Sequence, residues 1–185
     1  GATRCRPPAS GVSFGVLAAE RYGDLQPDRR TPMHDWHLEN GATLYAAGLW
    51  HRPMIYGRTG ETVEQAYVRE ARAVRMGAGI VDVSTLGKID IQGPDAGKFL
   101  DRVYTNMFSN LAVGKARYGL MLREDGLVMD DGTTWRLGET HFLMTTTTAN
   151  AGKVMQHLDY CLDCLWPDLK VHLTSVTDQW AGAAL

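Results

Sequence analysis

Apolar residues recur along this chain at two spacings, three to four apart in some stretches and two apart in others, and the alternation between them maps out helices and strands. Val63, Ala66, Tyr67 and Val74 fall on one helical face, behind a start signal in which Thr62 caps the first turn and Gln65 reaches back to it. Gly77 and Gly79 end that helix. Ile80, Val81 and Val83 sketch a strand, and Ile89 and Ile91 then alternate with Lys88, Asp90 and Gln92 as in a half-buried strand. Gly93-Pro94-Asp95 stops it and opens a second helix, with Phe99, Leu100 and Val103 facing inward.

Beyond Gly114 the pattern turns to β. Tyr118 to Leu122 and Leu127 to Met129 flank Glu124-Asp125-Gly126, a hairpin signal. A second hairpin pairs Thr133–Leu137 with His141–Thr145 across Gly138-Glu139. A helix over 149–165 follows and stops at Trp166-Pro167, and Val171, Leu173 and Val176 sketch a last strand. The sum is an α+β fold with helices packed on a largely antiparallel sheet. Residues 1–33, with Pro7, Pro8, Gly11, Gly15, Gly23, Pro27 and Pro32 and no sustained period, read as an irregular inter-domain linker or strap, and 34–185 as the folded unit.

Composition narrows the function classes. Lys plus Arg (19) nearly balances Asp plus Glu (21), so no field of one sign draws the chain to nucleic acid or an anionic membrane. No apolar run approaches the roughly 20 residues of a membrane helix, and a cytoplasmic location is expected. The sparse, odd set Cys5, Cys161 and Cys164 fits a reducing compartment. Cys161-Leu-Asp-Cys164 has redox or zinc spacing, but Val154, Leu158, Cys161, Leu162 and Leu165 recur at helical period, so buried thiols are expected.

Three local features could carry chemistry. Asp130 and Asp131 are adjacent at the end of an apolar strand, so alternation lets at most one enter a site on the sheet, the other seeing solvent or capping a turn. A carboxylate in an apolar pocket can accept a hydrogen bond or proton from a weakly basic nitrogen, whereas Asp-Asp-Gly132 is also ordinary turn chemistry. Thr145 to Thr148 run from a strand into a helix, where hydroxyls could cap the helix or meet a ligand. His34-Asp-Trp-His37 tempts a metal reading, but no third ligand stands out, and a packed loop and no metal site are expected. The five tryptophans, Trp36, Trp50, Trp135, Trp166 and Trp180, are spread apart and read as core. Dinucleotide, Walker, nucleophile-elbow and zincin motifs are absent from the sequence.

The order of its phrases gives the chain a family resemblance. Ala73-Val-Arg75, Gly79-Ile-Val-Asp-Val-Ser84, Gly87-Lys88, Gly93-Pro94-Asp95-Ala96, Tyr118, Glu124-Asp-Gly126 and Asp130-Asp131 resemble the glycine-cleavage T-protein (aminomethyltransferase) superfamily. Thr31-Pro-Met-His34, Trp36-His37, Asp82-Val-Ser-Thr-Leu-Gly-Lys88, Asp131-Gly132, Thr145-Thr-Thr-Thr-Ala-Asn150, Trp166-Pro-Asp168 and Ser175-Val-Thr-Asp-Gln-Trp180 resemble its branch of heterotetrameric sarcosine oxidase alpha subunits. Thr85-Leu86 and Gly132 depart from the T-protein's own His-Met and aliphatic residue, which favours that branch.

The resemblance implies the N-terminal part of a T-protein folate-binding fold, incomplete at its C-terminus. It implies tetrahydrofolate as cofactor, with flavin and NAD bound elsewhere in the complex, and a flavin-bearing beta subunit among the partner subunits. By the same inheritance Asp131 is the catalytic residue beside the folate nitrogens, and Leu86, Tyr118, Thr133, Trp135 and Thr147 are folate contacts. The T-protein commonly has Asn where Thr147 stands. The implied reaction is oxidative demethylation of the amine sarcosine to glycine, with the one-carbon unit passing to tetrahydrofolate as 5,10-methylenetetrahydrofolate. The alternatives are an aminomethyltransferase, a dimethylglycine or sarcosine dehydrogenase-type domain, and a non-catalytic folate-binding or assembly module.

Overall fold

The computed structural model describes residues 29–185, so Cys5 and residues 1–28 of the expected strap lie outside the described residues. The described chain opens with a small sheet in the order β1-β3-β2, made of β1 (Arg29–Arg30), β2 (Ala42–Ala47) and β3 (Trp50–Tyr56), with the short helix α1 (His34–Glu39) before β2. β1 runs parallel to β3, and Arg29 stacks over Trp50, 4.2 Å from the ring centre. Helix α2 (Val63–Met76) has the capping box read from the sequence: the Gln65 amide donates to the Thr62 hydroxyl, and the Thr62 amide to the Gln65 side chain. Its expected inward stripe is an exception. Ala66 is buried, but Val63, Tyr67 and Val74 are exposed, because α2 rests on β3 by its small side rather than on a broad core.

Strand β4 (Val81–Asp82) leads to β5 (Gly87–Gln92), helix α3 (Ala96–Val103), β6 (Ala116–Leu122), β7 (Val128–Gly138) and β8 (His141–Thr146). Helix α4 (Ala151–Tyr160) follows, continued by a π-turn over Cys161–Leu165, and then β9 (His172–Ser175) and β10 (Ala183–Ala184). The main sheet is antiparallel throughout, in the order β6-β7-β8-β5-β9, while β10 pairs with β4. The fold is therefore α+β on a largely antiparallel sheet. The two segments of β expected at 127–129 and 133–137 are one strand, β7, because pairing with both β6 and β8 overrides the local turn preference of Asp130-Asp131-Gly132.

One face of the sheet carries the core. Ile89, Ile91, Met121, Phe142 and Met144 pack beneath Phe99, Leu100 and Val103 of α3, Val154 and Leu158 of α4, and Cys161. Each of these large side chains contributes roughly 1.5–3 kcal/mol by leaving water. Cys161 is the expected buried thiol, and burial raises its pKa, whereas Cys164 one π-turn residue from the end is exposed and corrects the expectation for the pair. Gly119 faces Gly132 across β6 and β7. A Cβ on Gly132 would collide with the backbone oxygen of Thr145, since the Thr145 hydroxyl draws β8 close by bonding both the Thr133 amide and the Thr133 carbonyl at 3.0 Å.

A buried polar link joins the three-stranded sheet to the β4-β10 pair. His37 Nε2 donates to Asp82 Oδ2 at 3.0 Å, and His37 Nδ1 pairs with the Tyr56 hydroxyl at 2.6 Å. Asp82 Oδ1 accepts from the Ser84 amide at 2.9 Å. Burial acts to raise the Asp82 carboxyl, but the hydrogen bonds from Ser84 and His37 together prevail and hold it at about 2, below the usual 3.8. The residues His34 to His37, expected as a packed loop, thus form a helix whose second histidine anchors the link.

Two stability predictions follow from this packing. Gly132→Ala should cost about 1–3 kcal/mol, read as a lower urea midpoint, and an unchanged midpoint would show that β8 can yield. A carboxyl with a depressed folded pKa stabilises above its unfolded pKa and loses that contribution as pH falls through the folded value. The wild-type chain should therefore lose on the order of 2 kcal/mol between about pH 4 and pH 2 that Asp82→Asn lacks, so the stability gap between them should narrow across that window. A gap that stays constant to pH 2 would refute the assignment.

Candidate functional site

Alternation along β7 separates the two adjacent carboxylates. Asp130 points to the core side and is buried, while Asp131 points to the opposite, open face and keeps partial exposure. The Asp130 carboxylate accepts the Thr147 amide at 3.1 Å, the Thr147 hydroxyl at 2.6 Å and the Asn150 side-chain amide at 3.2 Å. It thereby ties β7 to the turn that starts α4. This is the turn-capping alternative for one member of the pair, made from inside the protein. The capping expected of the threonines is corrected: at the start of α4 no side chain bonds a free helix amide, and the Thr147 hydroxyl goes to Asp130 instead.

On the open face, Tyr118 of β6 lies opposite Thr133 of β7, and its hydroxyl donates to Asp131 Oδ2 at 2.7 Å. That bond raises the Tyr118 pKa above the ordinary phenol value, so the hydroxyl stays a donor. Trp135 is the next residue on the same face of β7, and it lines a cavity of about 320 Å³ together with Leu86, Lys88, Leu137, Leu143, Thr145 and the segment Trp180 to Ala183. The structure thus gathers Leu86, Tyr118, Asp131, Thr133 and Trp135 on one face. Thr147 stands apart, with its hydroxyl turned to Asp130 on the far side.

The turn between β4 and β5 forms one wall of the cavity. Asp82 fixes its first residue through the Ser84 amide, and Lys88 fixes its last, its buried ammonium donating to the Ser84 and Leu86 carbonyls at 2.9 Å each. The Ser84 hydroxyl reaches the other wall, accepting from the Gly182 amide at 3.0 Å. Burial lowers the Lys88 pKa, opposed by the charges of Asp82 and Asp178. Reading the sequence missed Lys88 and Ser84 as site residues; the lysine alternates with Ile89 and Ile91, and its burial follows only from a strand that the sheet encloses on both edges.

The tryptophans correct their expectation. Trp50 is buried and Trp166 packs against the core, but Trp36, Trp135 and Trp180 are substantially exposed, the last two at the cavity. Among the described residues no group of three or more His, Cys, Asp and Glu side chains is placed to hold a metal ion. No helix among them is long and apolar enough to cross a membrane.

The chain superposes on the aminomethyltransferase T of the glycine cleavage system from Bartonella henselae with a TM-score of 0.70 at 23% identity, over 80% of this chain and 38% of that one, a likeness of fold. It is 54% identical to the sarcosine oxidase subunit alpha of Rhizobium meliloti (strain 1021) and 48% identical to that of Corynebacterium sp. (strain U-96), in each case over 100% of this chain and 19% of the relative. It thus spans about a fifth of the length of those relatives. An aminomethyltransferase from Corynebacterium aurimucosum is 37% identical over 76% of this chain and 36% of its own length. The model of the GCVT N-terminal domain matches residues 33–185, and the chain belongs to that family.

Proposed function

We propose that this chain forms the folate-facing part of a sarcosine oxidase alpha subunit, in which the one-carbon unit released by amine oxidation is captured on tetrahydrofolate. The observation that carries the reading is the Tyr118–Asp131 pair at 2.7 Å on the open face, beside a cavity walled by Leu86 and Trp135. A flat heteroaromatic ring with N–H groups suits that surface: the tryptophan and leucine walls cover its faces, and a carboxylate stands at the rim. The higher identity to sarcosine oxidase alpha subunits than to aminomethyltransferases favours the first over the second as the reaction type.

When bound, tetrahydrofolate would supply the nitrogen nucleophile that takes up the one-carbon unit. The Asp131 carboxylate would accept a hydrogen bond or proton from that amine, exchanging it for the Tyr118 hydroxyl it holds in the free chain. Tyr118 would keep the carboxylate oriented until then. Trp135 and Leu86 would exclude water that would otherwise hydrolyse the reactive carbon to formaldehyde. Thr133 would line the face between them, and Thr147, by holding Asp130, would fix the strand from which Asp131 projects. Flavin chemistry would belong to a partner beta subunit, the NAD site to another part of the full protein, and the complex to the cytoplasm.

Asp131→Asn keeps the shape of the site and removes the proton acceptor. In the assembled, flavin-loaded enzyme we expect it to lower one-carbon transfer to tetrahydrofolate about 10²- to 10⁴-fold while leaving sarcosine oxidation in place, with formaldehyde released instead. Transfer at the wild-type rate would refute the role of Asp131.

A further inference from the structure

Lys88 is 6% exposed, yet no carboxylate bonds it. An ammonium has three N–H donors, and two go to the carbonyls of Ser84 and Leu86. Among the described residues the third has no hydrogen-bond partner, although the side chain lines the cavity between Trp135 and Trp180. A buried cation satisfied only by carbonyl dipoles is costly, and the protein retains it beside Leu86, Trp135 and Leu143, where an apolar residue could stand. Holding the turn explains two of the donors, and a neutral hydrogen-bonding side chain could do as much.

We propose that the third N–H of Lys88 is a ligand contact, and that the cavity recognises a flat ring ligand through an acceptor oxygen placed against this ammonium. The inference rests on the folate reading of the same face and extends it: Asp131 meets the nitrogen edge of the ligand and Lys88 an oxygen at its other end. Lys88 and Asp131 lie on strands separated by β8, roughly 10 Å apart across the sheet at the usual strand spacing. A reduced folate carries two kinds of acceptor oxygen far from its reacting nitrogens, the ring carbonyl and the carboxylates of its glutamyl tail. The lowered Lys88 pKa agrees with a cation that gains from such a partner.

The test is calorimetric titration of the full chain and of Lys88→Met, which keeps the alkyl packing, with folinate and with 6-methyltetrahydropterin, a ring without the tail. A parallel spectrum of ¹⁵N-lysine-labelled protein follows the Lys88 ammonium, identified by its absence from the variant. We expect Lys88→Met to weaken folinate binding roughly tenfold or more, the value of a charge-assisted hydrogen bond, and the wild-type ammonium signal to shift on saturation. An equal loss for the tail-free ring assigns the contact to the ring carbonyl, and a loss for folinate alone assigns it to a carboxylate; both support the proposal. Undiminished folinate binding by the variant, or an ammonium signal that does not move on saturation, overturns it and leaves Lys88 as a clamp on the turn, with the folate reading intact. Failure of the folded wild-type chain to bind either probe overturns both.

Discussion

The burial of Asp130 is the constraint on which the rest of the site depends. Its carboxylate takes three hydrogen bonds from the turn between β8 and α4, so its burial is satisfied only while that turn stays docked. Docking fixes the facing of β7 as well as its position. A slip of one residue would put Asp131 among Met121, Phe142 and Met144 without donors and turn Asp130 out to solvent. The cost of stranding a charge in that core far exceeds any local preference of Asp-Asp-Gly for a turn, and β7 runs straight through it for 11 residues.

What the sequence made legible was whatever local chemistry decides. The capping box at Thr62 and Gln65, the Asp125-Gly126 turn with Gly126 at φ 81°, and the inward Phe99, Leu100 and Val103 of α3 all depend on neighbours in the chain, and all are present. The hairpin of β2 and β3 was missed because its burial does not alternate cleanly and Pro53 lies within it, a residue that argues against a paired strand. Exposure of Val63, Tyr67 and Val74 on α2 could not be read either, since a helical stripe states a preference for burial and not what is available to bury it.

The site follows the same division. Alternation correctly required Asp130 and Asp131 to part, and the family likeness named the outward one, but which strand lies beside β7 is a property of register. Register brings Tyr118 opposite Thr133 and so its hydroxyl onto Asp131. Register also explains why Thr147 parts company with the others: it stands beyond the end of β8, where the chain has turned toward the core face. Lys88 escaped notice because a lysine alternating with Ile89 and Ile91 reads as the solvent face of an edge or half-buried strand, whereas β5 is enclosed by β8 and β9.

Asp82, Asp130 and Asp131 receive two treatments, and the contrast argues for a binding role at the third. Asp82 is buried and held by Ser84 and His37, and Asp130 is buried and held by Thr147 and Asn150. Both carboxylates are occupied by donors from their own fold, which is what an interior charge requires. Asp131 accepts one hydrogen bond, from the exposed Tyr118. A carboxylate offers about four lone-pair directions, so most of its accepting capacity remains open at the edge of an apolar, tryptophan-lined face. A structural carboxylate gains nothing from keeping lone pairs vacant on an open face. One that must hold an incoming N–H needs them vacant.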